Sequence, residues 1–372
     1  MKNDLHGIIY TLHSEPKLGQ LVANRNSASI PFCGRYRLID FPLSAMVNAG
    51  VRDVGVIMER DYQSLLDHLS GGKDWGLSRR NGGLRLLPPF GLPEAHSGHF
   101  GGCMEALRSV RSYIEEISQE NVVLSTGDFV MNVDIAAAAE QHRQSGAAIT
   151  AVCTPVQPDF PHHRFVPESD GFSQHMLFSH QGGETLGLAS TEMYILKKEL
   201  LLSFMDFCSD GERVHFHRDA LAHYLREGGR VGIYVHEGYF RRIATALDYY
   251  EASMDMLKPE IMSQLFPAQR PIRTKERAEV STYYGESAKV KNSLVADGCY
   301  IEGELENCIL FRGVRIAKGV KLQNCVVMQD TTVGENAQLK CVIADKDCVI
   351  TPRCFLVGSE RLPILVPKGA TV

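Results

Sequence analysis

The sequence predicts a two-domain chain: an α/β domain with a mostly parallel sheet over residues 1–258, a linker over 259–281, and a parallel β-helix over 282–372. Three observations predict it. Short apolar runs alternate with longer amphipathic ones up to about Leu257, prolines and charges crowd the stretch that follows, and beyond it apolar residues recur every six positions. At 372 residues the chain is too long for one simple core, and two domains of this size can each bury a substantial interior.

In chain order, "GVRDVGVIM" (Gly50 to Met58), "NVVLSTGD" (Asn121 to Asp128) and "AAITAVCTPV" (Ala147 to Val156) are apolar runs of strand length separated by helical patterns. That is the signature of strands buried on both faces, and ligands of such sheets collect at the carboxyl ends of the strands. "GYFRRIATALDYYEASMDML" (Gly238 to Leu257) predicts a helix with Thr245 and Asp248 as a capping box, apolar residues at Leu247, Tyr250, Met254 and Leu257, and Pro259 as its stop. Past the linker, Val314, Val320 and Val326 are six apart, as are Ile316, Leu322 and Met328, with turn glycines between them; each hexad then forms one face of a triangular coil. The register slips near Cys341.

A formal net charge of -5 with interspersed signs argues against a general nucleic-acid or membrane-surface binder and favours small soluble ligands. The apolar run Gly7 to Leu12 is too short for a signal-peptide core or a membrane span, so a cytoplasmic location is expected. Ten cysteines include no C-x-x-C pair; Cys299, Cys308, Cys325, Cys341 and Cys348 suit small inward positions of the coil, and reduced, buried thiols are expected.

Five blocks in order, "FCGRYRLIDFPLSAMVNAGV", "VVLSTGDFV", "LASTEMYIL", "GYFRRIATALDYYEASMDML" and the hexapeptide coil, make the chain resemble the ADP-glucose pyrophosphorylases, or glucose-1-phosphate adenylyltransferases, over nearly its whole length. The resemblance implies a Rossmann-like nucleotidyltransferase domain, a left-handed β-helix, tetrameric assembly, and the magnesium-dependent conversion of ATP and glucose 1-phosphate to ADP-glucose. In that reaction a sugar phosphate oxygen attacks the α-phosphorus, so cations and backbone donors must meet the charge on the phosphates.

The residues expected for that chemistry are changed here. The family's glycine-rich loop is "LHSEPKL", where Leu12, His13 and Glu15 would crowd the phosphate cradle and Lys17 stands at the loop arginine's position. The phosphate-binding lysine is Ser27, and the segment whose lysine grips the sugar phosphate corresponds to Ser179 and His180. Asp128 keeps the position of one metal-binding aspartate, but its partner has become Arg242, which is expected to pair with Asp128 in place of a metal. Cys103 and Glu105 replace a Thr and an Asp of a substrate loop; with no base nearby, Cys103 is expected to be an ordinary buried thiol. His162 and His163, adjacent and hence on opposite faces, are assigned no metal.

This pattern resembles the regulatory, GlgD-type branch of the family. It implies a non-catalytic or weakly catalytic chain that needs no cofactor of its own and joins a catalytic, magnesium-dependent GlgC-type chain in a hetero-oligomer, expected to be a tetramer. Arg25, Arg37, Lys346 and Arg353 match the region where the family binds anionic effectors between its domains. Three rivals stand beside this reading: an active sugar-phosphate nucleotidyltransferase with noncanonical residues, a β-helix acyltransferase, and a scaffold without a ligand site. The acyltransferase needs a histidine base in the coil, and none follows His236.

Overall fold

The structure, a computed structural model, describes residues 4–12, 16–80, 82–88, 100–156, 161–179 and 186–372. Each apolar run named above is a central strand. The sheet order is Phe172–Ser173, Val231–Val235, Ile149–Thr154, Leu188–Lys197, Asn121–Thr126, Leu5–Thr11, Asp53–Met58 and Gly83–Leu87. Leu5–Thr11 runs parallel to both its neighbours, whereas Leu188–Lys197 is antiparallel to both strands beside it, which makes the sheet mostly parallel. Apolar clusters cover both faces, one including Ile8, Leu124 and Tyr194, the other Ile9, Val56 and Trp75, all fully buried or within 1% of it. Each such side chain contributes roughly 1.5–3 kcal/mol by leaving water.

A third apolar cluster joins the two domains. Phe32, Phe41, Tyr249 and Leu265 from the sheet domain pack in it with Ile309, Phe311, Val326 and Ile343 of the coil. The Tyr250 hydroxyl crosses the same boundary to donate to the Asn324 carbonyl at 2.9 Å. The helix capped by the Thr245–Asp248 box is Ala246–Asp255. Pro259 opens a further helix, Pro259–Leu265, because a first-turn position needs no N–H donor. The stretch expected to be a linker therefore begins as a helix, and its remainder is tied down: Asn132 donates to the carbonyls of Leu265 and Arg270, and Asn48 to that of Pro271.

The β-helix has three parallel sheets, one per face. Its coils do not step by three full hexads: paired residues are 15 apart near the start, as Lys289 and Glu304, 17 apart along Glu304 to Lys321 to Gln338 to Phe355, and 22 apart at the end, as Val342 and Ile364. The corners explain the irregular period. Asn292, Asn307, Asn324 and Cys341 form one column of left-handed residues, with φ from 43° to 53°, and Gly319, Asn336 and Arg353 form another. Cys341 takes the corner that asparagine fills in the preceding coils of its column, and the repeat slips after it, where the last coil takes 22 residues. The five coil cysteines expected to face inward are buried, and a sixth, Cys354, is half-buried. Among the described residues no helix is long and apolar enough to cross a membrane.

Candidate functional site

The strand order reverses about Leu5–Thr11, and a cavity of about 690 Å³ opens at the carboxyl ends there. Thr11, Ser27, Asp128, Glu192, His217 and Arg242 are among its walls. The loop that carries Ser27 lies hard against the end of the strand Asn121–Thr126, where a Cβ on Gly127 would sit 2.8 Å from the Cβ of Ala28. Asn26 ties that loop to the neighbouring strand: its side chain donates to the Thr11 carbonyl at 3.0 Å and accepts from the Ala28 amide.

Asp128 and Arg242 meet because Phe129–Met131 and Phe240–Arg242 form a two-stranded antiparallel ribbon with Arg242 opposite Phe129. The Ile243 amide donates to the Asp128 carbonyl at 2.8 Å, and Arg242 Nε donates to Asp128 Oδ2 at 3.0 Å. The side chains are 30% and 19% exposed, so the pair is only partly shielded from water. Asp128 raises the guanidinium's affinity for its proton against the opposing effect of burial, and Glu192 adds to it. Asp128 Oδ1 is buried without a hydrogen-bond partner. Replacing Arg242 by methionine is expected to lower unfolding free energy by roughly 1–2 kcal/mol, between the values for exposed and buried pairs. Denaturant titration checks this, and Asp128→Asn in the same chain should return most of the loss.

Lys17 is exposed in the short helical turn Pro16–Val22, while Ser27 is 4% exposed and faces the cavity. Leu12 lines the cavity; His13, Glu15 and His180 lie outside the described residues. Cys103 opens the helix Cys103–Ser109, 6% exposed at the edge of the cavity and packed among apolar side chains, and burial pushes its thiol pKa far up.

One group in the cavity escaped the sequence reading. His163, Glu192 and His217 present ligand-type atoms that all lie within 4.8 Å of one another. His163 Nδ1 is 3.8 Å and His217 Nε2 is 3.4 Å from the Glu192 carboxylate. His217 Nε2 also meets the Tyr194 hydroxyl at 2.5 Å, and that hydroxyl meets Ser190 Oγ at 2.7 Å. Burial keeps His217 neutral, with its pKa down at about 4. Burial works against charge on Glu192, but His217, His163 and Arg242 outweigh it and hold the carboxyl below its ordinary range. His162, next in the chain, is buried away from this group, as the opposite faces of a strand require. The three residues come from distant stretches, and no spacing in the sequence announces them.

Residues 17–259 match the nucleotidyl transferase family model and residues 278–361 the model of the GlmU-like C-terminal hexapeptide. The chain is 34% identical over 369 residues to "Glycogen biosynthesis protein GlgD" of Bacillus subtilis (strain 168), covering 99% of this chain and 96% of that one. It is 33% identical over 383 residues to the protein of the same name from Geobacillus stearothermophilus, covering 99% and 97%. It is 26% identical over 374 residues to the glucose-1-phosphate adenylyltransferase of Clostridium perfringens (strain 13 / Type A), covering 100% and 95%. The chain belongs to the ADP-glucose pyrophosphorylase family.

Within this pyrophosphorylase fold, three of the four cations expected at the domain boundary come together. Arg25 is 4% exposed, and its Nη2 binds both carboxylate oxygens of Asp345 in the coil, at 2.8 and 2.6 Å. Arg25 is thus an internal tie whose charge is already met. Arg37 is 9% exposed and donates through Nη1 to the carbonyl and hydroxyl of Ser64; burial draws its pKa down to about 10. Lys346 adjoins them, and burial, then Arg37 and Arg25, bring its pKa down to about 7. Arg353 stands apart, exposed at a coil corner with φ 63°. The charges acting on Lys346 are Arg37, Arg25, Asp345 and Lys368.

Proposed function

We propose that this chain is a non-catalytic or weakly catalytic regulatory subunit of a glucose-1-phosphate adenylyltransferase in glycogen biosynthesis, modulating a catalytic partner chain of the same family in a hetero-oligomer. The observation that carries the reading is the Asp128–Arg242 pair. A magnesium ion for nucleotidyl transfer needs convergent oxygen ligands, and this position offers one carboxylate beside a fixed guanidinium. The residues present do not fit that ion. Ser27 in the cavity wall, where a phosphate would need a cation, supports the same reading. So do the names of the two relatives at 34% and 33% identity, each a glycogen biosynthesis protein GlgD.

Arg37 and Lys346, with Arg25 behind them, suit a small anionic effector at the domain boundary. Burial is the main cause of the depressed Lys346 pKa, and an anion there would relieve the crowding of positive charge from Arg37 and Arg25 that adds to it.

The test compares ADP-glucose formation by this chain alone, by its catalytic partner alone, and by the two co-expressed, across a panel of sugar phosphates and organic acids. This chain alone is expected to be inactive, and the mixture to differ from the partner in turnover or effector response. Magnesium-dependent turnover by the isolated chain would instead establish the rival, an active nucleotidyltransferase with noncanonical site residues.

A further inference from the structure

We propose that His163, Glu192 and His217 form a binding site for a borderline divalent transition ion such as Zn²⁺, at a place in the cleft distinct from the Asp128–Arg242 pair. The separations carry the argument. At 3.4 and 3.8 Å the histidine nitrogens stand farther from the Glu192 oxygens than in most protein hydrogen bonds, which run about 2.7–3.2 Å. They lie near the spacing of two ligands that share a tetrahedral ion with bonds of about 2.0–2.1 Å, which is about 3.3 Å. Two imidazoles and one carboxylate are the donor set of an open zinc site, with a fourth position left for water or a ligand; magnesium and calcium prefer oxygen.

The backbone shows that Glu192 is aimed and not incidental. The pairing of Leu188–Lys197 with Ile149–Thr154 breaks between Ser190 and Met193, and Glu192 stands in this break in the left-handed region, at φ 63°. A residue with a Cβ is strained there, and such strain is kept where the surrounding structure holds a side chain in a required direction. The carboxylate, 12% exposed, reaches into the cavity beside the two histidines, one oxygen near a nitrogen of each.

Two adjustments accompany binding. The imidazoles of His163 and His217 are stacked, with centroids 4.1 Å apart and planes at 11°, so their in-plane lone pairs do not yet converge. His163, the more exposed at 21%, must turn about its side-chain torsions. Tyr194 must release His217 Nε2 while keeping Ser190. Arg242 acts on Glu192 from nearby and opposes the incoming charge, which weakens the site relative to one with neutral walls.

The proposal does not depend on whether the chain is regulatory, because it concerns metal binding and not turnover. The test uses the full chain, stripped with chelator and titrated with Zn²⁺ and separately with Co²⁺. One equivalent of Zn²⁺ should raise Tm by a few degrees, and Co²⁺ should give the intense visible bands of a tetrahedral site. Glu192→Gly should abolish both signals while the chain stays folded, since glycine accepts φ 63° without strain and that relief offsets part of the lost attraction between the carboxylate and Arg242. His163→Gln should weaken binding at least tenfold and leave the metal-free Tm nearly unchanged. Failure of the parent chain to bind one equivalent, or binding that persists undiminished in both variants, would overturn the assignment.

Discussion

Arg25→Met should cost about 3–5 kcal/mol of unfolding free energy, the range for removing one partner of a buried ion pair. Asp345 is completely buried, and its two oxygens are held by Arg25 Nη2 and by the Lys346 amide. Without the guanidinium, one carboxylate is left between two domains with no water to solvate it. The loss comes from that stranded charge and not from the pair's own attraction, so Arg25→Met with Asp345→Leu should be considerably more stable than Arg25→Met alone. Denaturant unfolding of the two variants checks both statements. A loss below about 1 kcal/mol for the single variant would place the pair with solvent-exposed bridges and refute its burial.

Lys346→Met is expected to act in the opposite direction on stability and to remove the effector response. The lysine's pKa falls from 10.5 to about 7 on folding. Below pH 7 both the folded and the unfolded chain carry the proton, and the folded state bears the full cost of a crowded, partly buried charge. Between pH 7 and 10.5 the unfolded chain binds the proton more often than the folded one, so stability rises with pH across that window. Lys346→Met should therefore stabilise the chain by about 2 kcal/mol near pH 6.5, a figure set below the full value of the shift because the side chain is not wholly buried. The gain should fade toward pH 10. The same variant in the mixed complex should lose its response to anionic effectors, because it lacks the cation whose protonation an anion favours. A gain of equal size at pH 6.5 and at pH 10 would show that the lysine's charge is not what it removes.

The Asp128–Arg242 encounter was legible through the family resemblance, which matches both positions to a pair of metal-binding aspartates; neither block by itself places the two side chains together. The coil was legible from its period. Its steps of 15, 17 and 22 residues were not, because asparagine, glycine, aspartate, cysteine and arginine all accept the left-handed backbone of a corner and so do not mark the spacing. The buried state of Arg25 was hidden for a different reason: its partner lies 320 residues further on, and a lone arginine in a polar loop reads as solvated. The helix at Pro259 was hidden because proline both ends helices and begins them. The histidine cluster depends on one break in strand pairing and on contacts among three distant segments, none of which leaves a local pattern.

Arg25, Asn26 and Ser27 hold three different parts of the molecule in succession. The first grips the β-helix through Asp345, the second the end of the central strand through the Thr11 carbonyl, and the third forms the cavity wall. Three extended residues span at most about 11 Å. Any tilt of the coil, whether imposed by an effector or by a neighbouring subunit, therefore acts on a lever arm of one tripeptide before it reaches the cleft. The chain has no need of a long route for mechanical transmission, and the part that could carry it is bolted at both ends.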